Sequence, residues 1–349
     1  MVSRDRRAVC AAQQGHARVP LPAQMRQRDK GLQCPAPAPF HFATMPAMTT
    51  PTTTTDDATP PMRDGVGAST VWLPAGDWPS PLAFLSARFP AIDTGQWRSR
   101  FERGLVCDAS GAPLDADAPY TAGQHLYYFR ELPPEPRIPF DAEVLHRDEH
   151  LLVADKPHFL PVLPSGRFLQ QTLLVRLRRE LNLPELTPLH RIDRGTAGLV
   201  IFSVNRHSRG RYQQLFATRA IEKGYLALAP AIHGVELPLT RRSRLVRGEP
   251  FFRSCETEGP ANSETVIESA TAHGTLQCYR LRPVTGKKHQ LRVHMAALGA
   301  PIANDPMYPV VQQTDVETYD RPLKLLAHSI AFIDPLSQRA LRFTSRRTL

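Results

Sequence analysis

An aspartate flanked by two arginines and followed by an apolar run is the part of this sequence best suited to chemistry. Asp193 lies between Arg191 and Arg194, and a β-branched apolar run follows Gly198. That run predicts a buried strand, which places the carboxylate at the entrance of the strand. Burying a carboxylate costs free energy unless a cation and hydrogen bonds satisfy it. Proteins usually keep such a group where it does chemistry, and a loop aspartate in a surface ion pair is the plainer alternative.

Three further segments carry side chains that would complement such a carboxylate. Lys156 ends a predicted strand just before a proline-rich loop, and Tyr225 follows Lys223 at the start of another strand. Arg292 lies on a predicted helix, and its planar, permanently charged guanidinium can hold a carboxylate with two hydrogen bonds. Tyr225 offers a flat face for a base and a hydroxyl for proton transfer. Its plainer alternative is a core aromatic of the strand.

These segments occur in an order that resembles the RluA-type pseudouridine synthases, which isomerise uridine to pseudouridine within RNA. The matching segments are Asp-Lys-Pro at 155–157, His-Arg-Ile-Asp-Arg at 190–194, Glu-Lys-Gly-Tyr at 222–225 and Thr-Gly-Lys-Lys-His-Gln-Leu-Arg at 285–292. The resemblance covers about 141–345. One such motif would be a weak signal, and four in this order with sensible spacing are a strong one.

The resemblance implies three catalytic positions. Asp193 matches the catalytic nucleophile of the family, Tyr225 matches the tyrosine that lies against the target base, and Arg292 matches the arginine that pairs with the aspartate. Removing one member of such a buried pair typically costs about 3–5 kcal/mol. The change Arg292→Ala should therefore damage folding as well as the reaction rate.

The same segments depart from the family pattern around this trio. The departures are Ala197 for a serine, Lys287-Lys288 for Arg-Thr, Asn304 for a glycine, and His158-Phe159 for a small residue followed by glycine. None of them changes the aspartate, the tyrosine or the arginine, so the activity is still expected. They weaken the transfer of any one member's target site to this chain.

Basic residues around the motifs are the expected contacts to RNA. A base inside structured RNA must leave its stack before a side chain can reach it. His190, Arg191 and Arg194 are suited to fill the vacated space or to hold phosphates, with a structural ion pair for Arg191 and a satisfied core imidazole for His190 as alternatives. The expected phosphate-facing groups are Lys156, Arg206, Arg209, Arg211, Arg219, Lys223, Lys287 and Lys288.

The composition also favours a nucleic-acid partner. The 349 residues carry a net charge of +10, while the hydrophobic share of 42% and charged share of 22% are ordinary for a globular protein. No apolar run approaches the roughly 20 residues that a membrane-spanning helix needs, so no membrane partner is expected. The five cysteines are scattered, which argues against a disulfide framework or zinc ribbon and favours a reducing cytoplasm. The isomerisation needs no metal or cofactor, so none is expected.

Four regions are predicted along the chain. Residues 1–68 are predicted to be a disordered tail or to result from a wrongly assigned translation start. They are rich in proline and threonine and lack an apolar period. Region 78–131 loosely resembles the alpha-L RNA-binding module, with a plain packing domain as the alternative. A stiff, proline-rich linker is expected at 132–140 and the catalytic domain at 141–345. The basic residues on the helices of the small module are Arg88, Arg98, Arg100 and Arg103.

The predicted fold class is α+β. Apolar runs and alternation predict strands at 151–155, 199–205, 225–230 and 276–285, and spacing of three and four predicts helices at 170–182, 208–218 and 289–298. The resemblance implies a mixed, largely antiparallel sheet flanked by helices, which is the pseudouridine synthase fold. A small N-terminal α/β module precedes it in this prediction.

The predicted function is the isomerisation of uridines in structured RNA, with 23S ribosomal RNA as the first substrate expected and transfer RNA as the second. Asp193 could attack the sugar, attack the base, or assist proton loss from the sugar, and the sequence does not choose among these routes. The alternative from another class is a non-catalytic RNA-binding or ribosome-assembly protein on the same fold. A monomer is expected, because no repeat or coiled-coil seam is present.

Overall fold

The computed structural model describes residues 60–312 and 318–349. Its helices and strands are arranged in a small N-terminal unit and around one large sheet. The elements of the small unit are β1 (Met62–Arg63), β2 (Val66–Gly67), β3 (Ser69–Trp72), α1 (Pro81–Arg88), α2 (Thr94–Glu102), β4 (Val106–Cys107) and β5 (His125–Tyr128). β1 pairs with β2, while β3, β5 and β4 form a three-stranded antiparallel sheet. Apolar side chains of both helices and of this sheet share one core.

The small unit has the order of helices and strands predicted within 78–131, and it begins earlier. β3 precedes that range and pairs with β5. The hairpin at 62–67 lies inside the segment predicted as a disordered tail, of which residues 1–59 lie outside the described residues. An Asp64-Gly65 turn with positive φ at both residues closes this hairpin, and Asp-Gly between two strands is a strong short-range hairpin signal that our prediction did not use.

The arginines of the small unit are largely engaged within it. Arg98 forms an ion pair with Asp117, and Arg103 forms one with Glu131. Arg100 is buried, with its guanidinium carbon 4.8 Å from the centre of a tryptophan ring. The guanidinium carbon of Arg88 lies 5.3 Å from the centre of the Phe89 ring, so all four helical arginines considered as RNA contacts have partners inside the unit. RNA binding by this unit stays a prediction.

The large sheet contains eleven of the described strands. They are β6 (Glu143–Arg147), β7 (Leu151–Lys156), β8 (Thr187–Pro188), β9 (Ala197–Ser203), β10 (Glu222–Ala229), β11 (Leu239–Arg247), β12 (Ser254–Thr257), β13 (Ser263–His273), β14 (Leu276–Pro283), β15 (Leu325–Ile333) and β16 (Ala340–Thr344). The spatial order is β12-β11-β13-β14-β10-β15-β9-β7-β6, with β16 on β15 and β8 on β9. Only the β15–β9 pair is parallel among the described strands. The predicted mixed, largely antiparallel sheet is confirmed.

Three helices flank this sheet, and each lies within a predicted helix. They are α3 (Leu173–Leu181), α4 (Arg209–Ala217) and α5 (Gln290–Ala297). The α+β class is therefore confirmed. Among the helices of the described residues, none combines the length and the apolar character that crossing a bilayer requires.

The strands β7 and β9 are covered on both faces. Leu152 and Val200 face the core that contains α3, whereas Leu151 and Ile201 face the core that contains α4. A strand buried on both sides carries a continuous apolar run instead of alternation. This is the physical basis of the run that follows Gly198 in the sequence.

α5 packs on the same face of the sheet as α3, further along. Leu291 and Met295 of α5 share one core with Ala227 of β10, and Tyr225 packs against both this core and the core beneath α3. The alternation predicted for β10, with Tyr225 and Ala227 on one face, is therefore confirmed. Tyr225 lies where the two cores meet, which places it between α3 and α5.

A buried histidine fixes α5 to the neighbouring strands. His294 is fully buried, and its Nδ1 lies 2.9 Å from the hydroxyl of Thr265. Its Nε2 lies 3.0 Å from the hydroxyls of both Ser243 and Ser263. Because both ring nitrogens have hydroxyl partners, the neutral imidazole is satisfied without a charge.

The predicted linker, residues 132–140, packs against α3. The carboxylate of Glu135 accepts hydrogen bonds from the backbone N–H groups of residues 169–171, just before α3 begins. Arg176 on α3 donates to the backbone carbonyls of Ile138 and Phe140, both at 2.7 Å. The segment is thus attached to α3 and to the residues just before it, as well as rich in proline.

Gly198 is required where β9 meets β15. Its φ is +107°, and a Cβ at this position would lie 2.2 Å from the backbone oxygen of Ala327 on β15. The contact involves two backbones paired in parallel register, so neither strand can move aside without breaking the sheet. The glycine that follows the Asp193 motif therefore has a structural role in the sheet.

We expect Gly198→Ala to lower the free energy of unfolding by about 3 kcal/mol or more, through the clash with β15 and the unfavourable φ. Gly274, in the β13–β14 turn, also has a positive φ of 60°, but a Cβ there would meet nothing within 4 Å. Gly274→Ala should cost only the conformational part, about 1–2 kcal/mol. Urea denaturation of both variants measures the difference, and equal losses would contradict the contact with Ala327.

Candidate active site

The loop that carries Asp193 is anchored by its neighbours in sequence. Ile192 is buried in the core beneath α3, so the residues on either side of it point away from that core. The backbone N–H of Thr196 donates to the Asp193 carbonyl at 3.1 Å and closes a turn before β9 begins. The Asp193 side chain keeps 26% exposure, which leaves one side of the carboxylate accessible.

Arg292 lies between two carboxylates. Its Nη1 donates to Asp193 Oδ2 at 3.2 Å. Its Nε and Nη2 donate to the two oxygens of Asp305, at 2.8 and 2.7 Å. Burial would lower the pKa of Arg292, but the hydrogen bonds and charge of Asp305, together with Asp193, hold that pKa above its usual value. The guanidinium therefore stays charged beside Asp193.

The pairing of Arg292 with Asp193 was predicted, but its geometry was not. The two-bond fork expected on Asp193 is made to Asp305, and Asp193 receives a single hydrogen bond. Asp305 also accepts from the backbone N–H groups of Met307 and Tyr308, at 2.8 and 3.1 Å. Asp305 directly follows Asn304, one of the departures from the family pattern, and the sequence analysis assigned it no role.

His289 and Tyr308 complete the wall behind the carboxylate, and neither was predicted. The Tyr308 ring centre lies 5.2 Å from the guanidinium carbon of Arg292, and its hydroxyl lies 2.9 Å from His289 Nδ1. His289 Nε2 lies 3.8 Å from Asp193 Oδ2. Burial lowers the pKa of His289 to about 4, although the charge of Asp193 opposes the shift.

A bulge in β10 sets the direction of Tyr225. The register of β10 on β15 shifts between Gly224 and Tyr225, and a Cβ at Gly224 would lie 2.4 Å from the Ser329 hydroxyl oxygen. Bulges commonly re-aim a side chain next to a functional site. Burial, and then the charge of Asp193, raise the pKa of the Tyr225 hydroxyl above its usual value. At neutral pH the hydroxyl keeps its proton and can act as a donor.

Two cavities meet at Asp193. The first, here called the tyrosine cavity, measures about 490 Å³ and is lined by Tyr225, Lys223 and Lys287 among others. The second, here called the loop cavity, measures about 510 Å³ and lies beside the proline-rich loop after β7. Both cavities share Arg191, Ile192, Asp193, His289 and Arg292.

Lys156 does not face RNA, which corrects the prediction. Its side chain is fully buried, and its Nζ donates to the carbonyls of Pro157, Leu160 and Arg194 at 2.9, 2.7 and 3.2 Å. Burial lowers the pKa of Lys156 to about 7, against the opposing charge of Asp193. The lysine ties the proline-rich loop to the Asp193 loop, a role that its position at the end of a strand did not reveal.

Arg194 contacts the proline-rich loop and also lines the loop cavity, so its contact with RNA stays a prediction. Its Nε donates to the Phe159 carbonyl at 2.9 Å, and its guanidinium carbon lies 4.9 Å from the centre of the Phe168 ring. In the opposite direction, His158 Nδ1 donates to the Gly195 carbonyl at 2.7 Å. Together with Lys156, these bonds form a clamp between the two loops.

His190 is a satisfied imidazole at the wall of the tyrosine cavity. Its Nε2 accepts from the backbone N–H of Ile201 at 3.1 Å, and its ring stacks on Phe216 with centroids 5.0 Å apart. Burial, with a smaller effect of Lys223, lowers the pKa of His190 to about 3. A neutral ring cannot pair with a phosphate charge, so the alternative interpretation of His190 is supported.

The remaining predicted RNA contacts divide by position. Arg191 is exposed and lines both cavities. Lys223 and Lys287 line the tyrosine cavity, and Lys288 lines the loop cavity. Arg206 is exposed in the loop between β9 and α4 and lines neither cavity. Arg209, Arg211 and Arg219 were also predicted, and Arg219 is exposed and lines the tyrosine cavity. These eight residues stay predicted RNA contacts, and five of them line a cavity beside Asp193.

Comparison with known proteins identifies the family. A family model described as RNA pseudouridylate synthase matches residues 150–297. An uncharacterized RNA pseudouridine synthase of Synechocystis sp. is 30% identical over 276 residues, which cover 76% of this chain and 92% of that relative. The chain belongs to the RluA-type pseudouridine synthases. The synthase acts on RNA and is an isomerase.

Other relatives of this synthase match smaller parts of the chain. The dual-specificity RNA pseudouridine synthase RluA of Vibrio vulnificus is 32% identical over 204 residues, covering 56% of this chain and 79% of that protein. Human pseudouridylate synthase RPUSD2 is 34% identical over 173 residues, and the match covers 47% of this chain and only 30% of the human protein. The solved structure of human RNA pseudouridylate synthase domain containing 1 aligns with a TM-score of 0.48 and 22% identity, covering 61% of this chain and 86% of that one.

We expect the stability of the synthase to fall as the pH drops from about 6.5 to about 4. Burial holds the pKa values of His158, His190, His289 and His294 at about 3 to 4 in the folded chain. In the unfolded chain each takes up a proton near pH 6.5, so unfolding binds protons in this window. Each imidazole then removes up to about 1.4 kcal/mol of unfolding free energy per pH unit.

Urea denaturation between pH 4 and pH 7 measures this slope. The change His294→Gln removes one of the titrating groups and keeps a side chain able to bond the neighbouring hydroxyls. The variant should show a slope smaller by up to one proton. An unchanged slope would contradict a neutral His294 in the folded state.

A second expectation separates the two carboxylates on Arg292. Asp305→Ala leaves a buried guanidinium without its two-bond partner and should cost about 3–5 kcal/mol of unfolding free energy. Asp193→Ala removes one hydrogen bond from a partly exposed carboxylate and should cost clearly less. Chemical denaturation of both variants tests this order, and a larger loss for Asp193→Ala would overturn it.

Proposed function

We propose that Asp193 is the nucleophile of this synthase and that its substrate is a uridine in structured RNA. Large-subunit 23S ribosomal RNA is the first substrate that we propose, and transfer RNA is the second. The choice of these RNAs rests on the family resemblance. The choice of Asp193 rests on the geometry of the site as well.

One observation carries the assignment of Asp193. Among the described residues that line the tyrosine cavity or the loop cavity, Asp193 is the only acidic one, and it lies at the junction of the two. A nucleophile must reach the substrate and must be held in position. Asp193 meets both needs, because Arg292 binds one carboxylate oxygen while part of the carboxylate stays accessible.

The reaction asks for little more than this carboxylate and a fixed base. The bond between uracil N1 and the sugar C1′ breaks, the base turns, and C5 bonds to C1′, while C5 loses a proton and N1 gains one. A carboxylate can promote these steps by attack on the sugar or the base, or by assisting proton loss. Arg292 supports each route, because a fixed cation beside the carboxylate keeps it oriented.

Tyr225 is proposed as the residue that lies against the base. The tyrosine cavity, at about 490 Å³, lies within the size range of small-molecule sites, and the Tyr225 ring forms part of its wall. Stacking of a base on an aromatic ring is worth about 1–3 kcal/mol. The protonated hydroxyl of Tyr225 could also pass a proton to the turning base.

The cations around the tyrosine cavity are proposed to hold the phosphates beside the target uridine. Arg191 and Lys287 are exposed at its rim, and Lys223 lies deeper, where burial lowers the pKa of its amine. Each phosphate contact releases counterions from the RNA, so binding should weaken with rising salt. This arrangement fits an exposed or splayed-out uridine better than a base within a helix.

The experiment that tests the proposal is to incubate the full chain with ribosomal RNA and with transfer RNA that lack pseudouridine, and then to map pseudouridine chemically. New pseudouridine in 23S RNA supports the first substrate, and new pseudouridine in transfer RNA alone supports the second. Binding to both RNAs with no product from either would favour the non-catalytic alternative and overturn the proposal.

We expect Asp193→Asn to abolish turnover while RNA affinity changes by no more than a few fold, because the amide keeps the volume and loses the nucleophilic charge. Asp77→Asn is a matched control, since Asp77 is exposed and lines neither cavity. Single-turnover kinetics and a binding titration of each variant give the two readouts. Wild-type turnover in Asp193→Asn would rule out the nucleophile.

A further inference from the structure

We propose that the loop cavity binds the nucleotide next to the target uridine, with Phe159 stacking on its base and Lys288 and Arg321 contacting its phosphate. The inference rests on the proposed function, because it places the target uridine in the tyrosine cavity. The recognised ligand is one nucleotide of single-stranded RNA. Its direction along the strand, 5′ or 3′ of the uridine, is an outcome of the experiment.

The first support is the connection of the two cavities. They share Asp193, Arg191 and Ile192 on one side and His289 and Arg292 on the other, so a strand that crosses Asp193 enters both. Each cavity measures about 500 Å³, which is enough for one nucleotide. A uridine held in the first cavity therefore brings its covalent neighbour to the second.

The second support is the charge of the loop cavity. Arg167, Arg191, Lys288 and Arg321 line it and are exposed. No acidic residue other than Asp193 is among its lining residues in the part of the chain that the structure describes. A cavity of this sign favours a phosphate, and its position beside Asp193 favours one that belongs to the bound RNA strand.

The third support is the conformation of Phe159. Its φ is +66°, a region that glycine adopts easily and that a bulky side chain adopts only at a cost in free energy. The ring nevertheless lines the cavity, stacked on Phe140 at 6.1 Å and edge-on to Tyr319 at 5.2 Å. Strained residues that persist cluster at ligand sites, and an aromatic face beside cations is a typical single-strand platform.

The hydrogen bonds between the proline-rich loop and the Asp193 loop hold the Phe159 ring in a fixed position relative to the Asp193 carboxylate. The Phe159 carbonyl accepts from Arg194, and the neighbouring His158 donates to Gly195, so the loop is tied to the residues directly after Asp193. The distance between the stacking ring and Asp193 is therefore fixed before RNA binds. A rigid spacing of this kind is what a two-nucleotide site needs.

The test uses the full chain and a fluorescently labelled RNA hexamer with one central uridine. A second hexamer carries abasic nucleotides on both sides of that uridine. Binding is measured by fluorescence anisotropy over a range of KCl concentrations. The variants are Phe159→Gly, Lys288→Gln and Arg321→Gln, and the control is Arg339→Gln, an exposed arginine that lines neither cavity.

Phe159→Gly should weaken binding of the intact hexamer about 5-fold or more and leave binding of the abasic hexamer unchanged. Lys288→Gln and Arg321→Gln should each reduce the slope of log affinity against log salt by about 0.7, the value for one contact to a single strand. Arg339→Gln should bind like the wild type. Hexamers abasic on one side only then assign the direction of the neighbour.

The proposal is overturned if Phe159→Gly binds the intact hexamer as tightly as the wild type, or if it weakens both hexamers equally. Should Phe159→Gly fail to fold, Phe159→Leu keeps the apolar packing and removes the aromatic face, and the same comparison applies. Pseudouridine formation separates the two proposals. Unchanged affinity and turnover in all three variants would reject only the subsite, whereas base-dependent binding without any product would reject only the proposed reaction.

Discussion

The buried guanidinium of Arg292, held between Asp193 and Asp305, is the interaction on which the site depends. A cation this far from water is stable only with anions in contact, and here two carboxylates supply the charge and three hydrogen bonds. Asp193 and Arg292 are 99 residues apart in sequence. Their contact therefore requires that the turn before β9 and the helix α5 both sit correctly on the sheet.

The sheet meets this requirement through contacts that tolerate little change. Gly198 allows the backbones of β9 and β15 to approach, which places the Asp193 turn beside the N-terminal end of β15. His294, in the middle of α5, fixes the helix to the neighbouring strands through three hydroxyl partners. The bulge at Gly224 then directs Tyr225 into the gap between α3 and α5. Scaffold residues thus set the geometry that the reactive residues use.

The loop after β7 differs from the family pattern at two residues that contact the Asp193 loop. His158 and Phe159 stand where the family pattern has a small residue and glycine, and both contribute to the clamp on the Asp193 loop. Lys156 adds to this clamp, because its Nζ donates to three backbone carbonyl oxygens of the two loops. These residues connect the Asp193 turn to the loop cavity, so the departures at His158 and Phe159 lie beside the proposed subsite.

By itself, the sequence determined the fold class, the three helices of the large domain and four of its eleven described strands, because periodicity is a local property of the chain. It also pointed to Asp193, Tyr225 and Arg292 as the predicted site residues, through the order of the motifs. Only the tertiary structure decided what each long side chain contacts. Lys156 and Arg194 both donate to backbone carbonyls of neighbouring loops, although both look like surface cations in the sequence. The two-bond fork of Arg292 is made to Asp305. A flexible charged side chain takes the partner that neighbouring loops bring within reach, and that proximity exists only after the chain has folded.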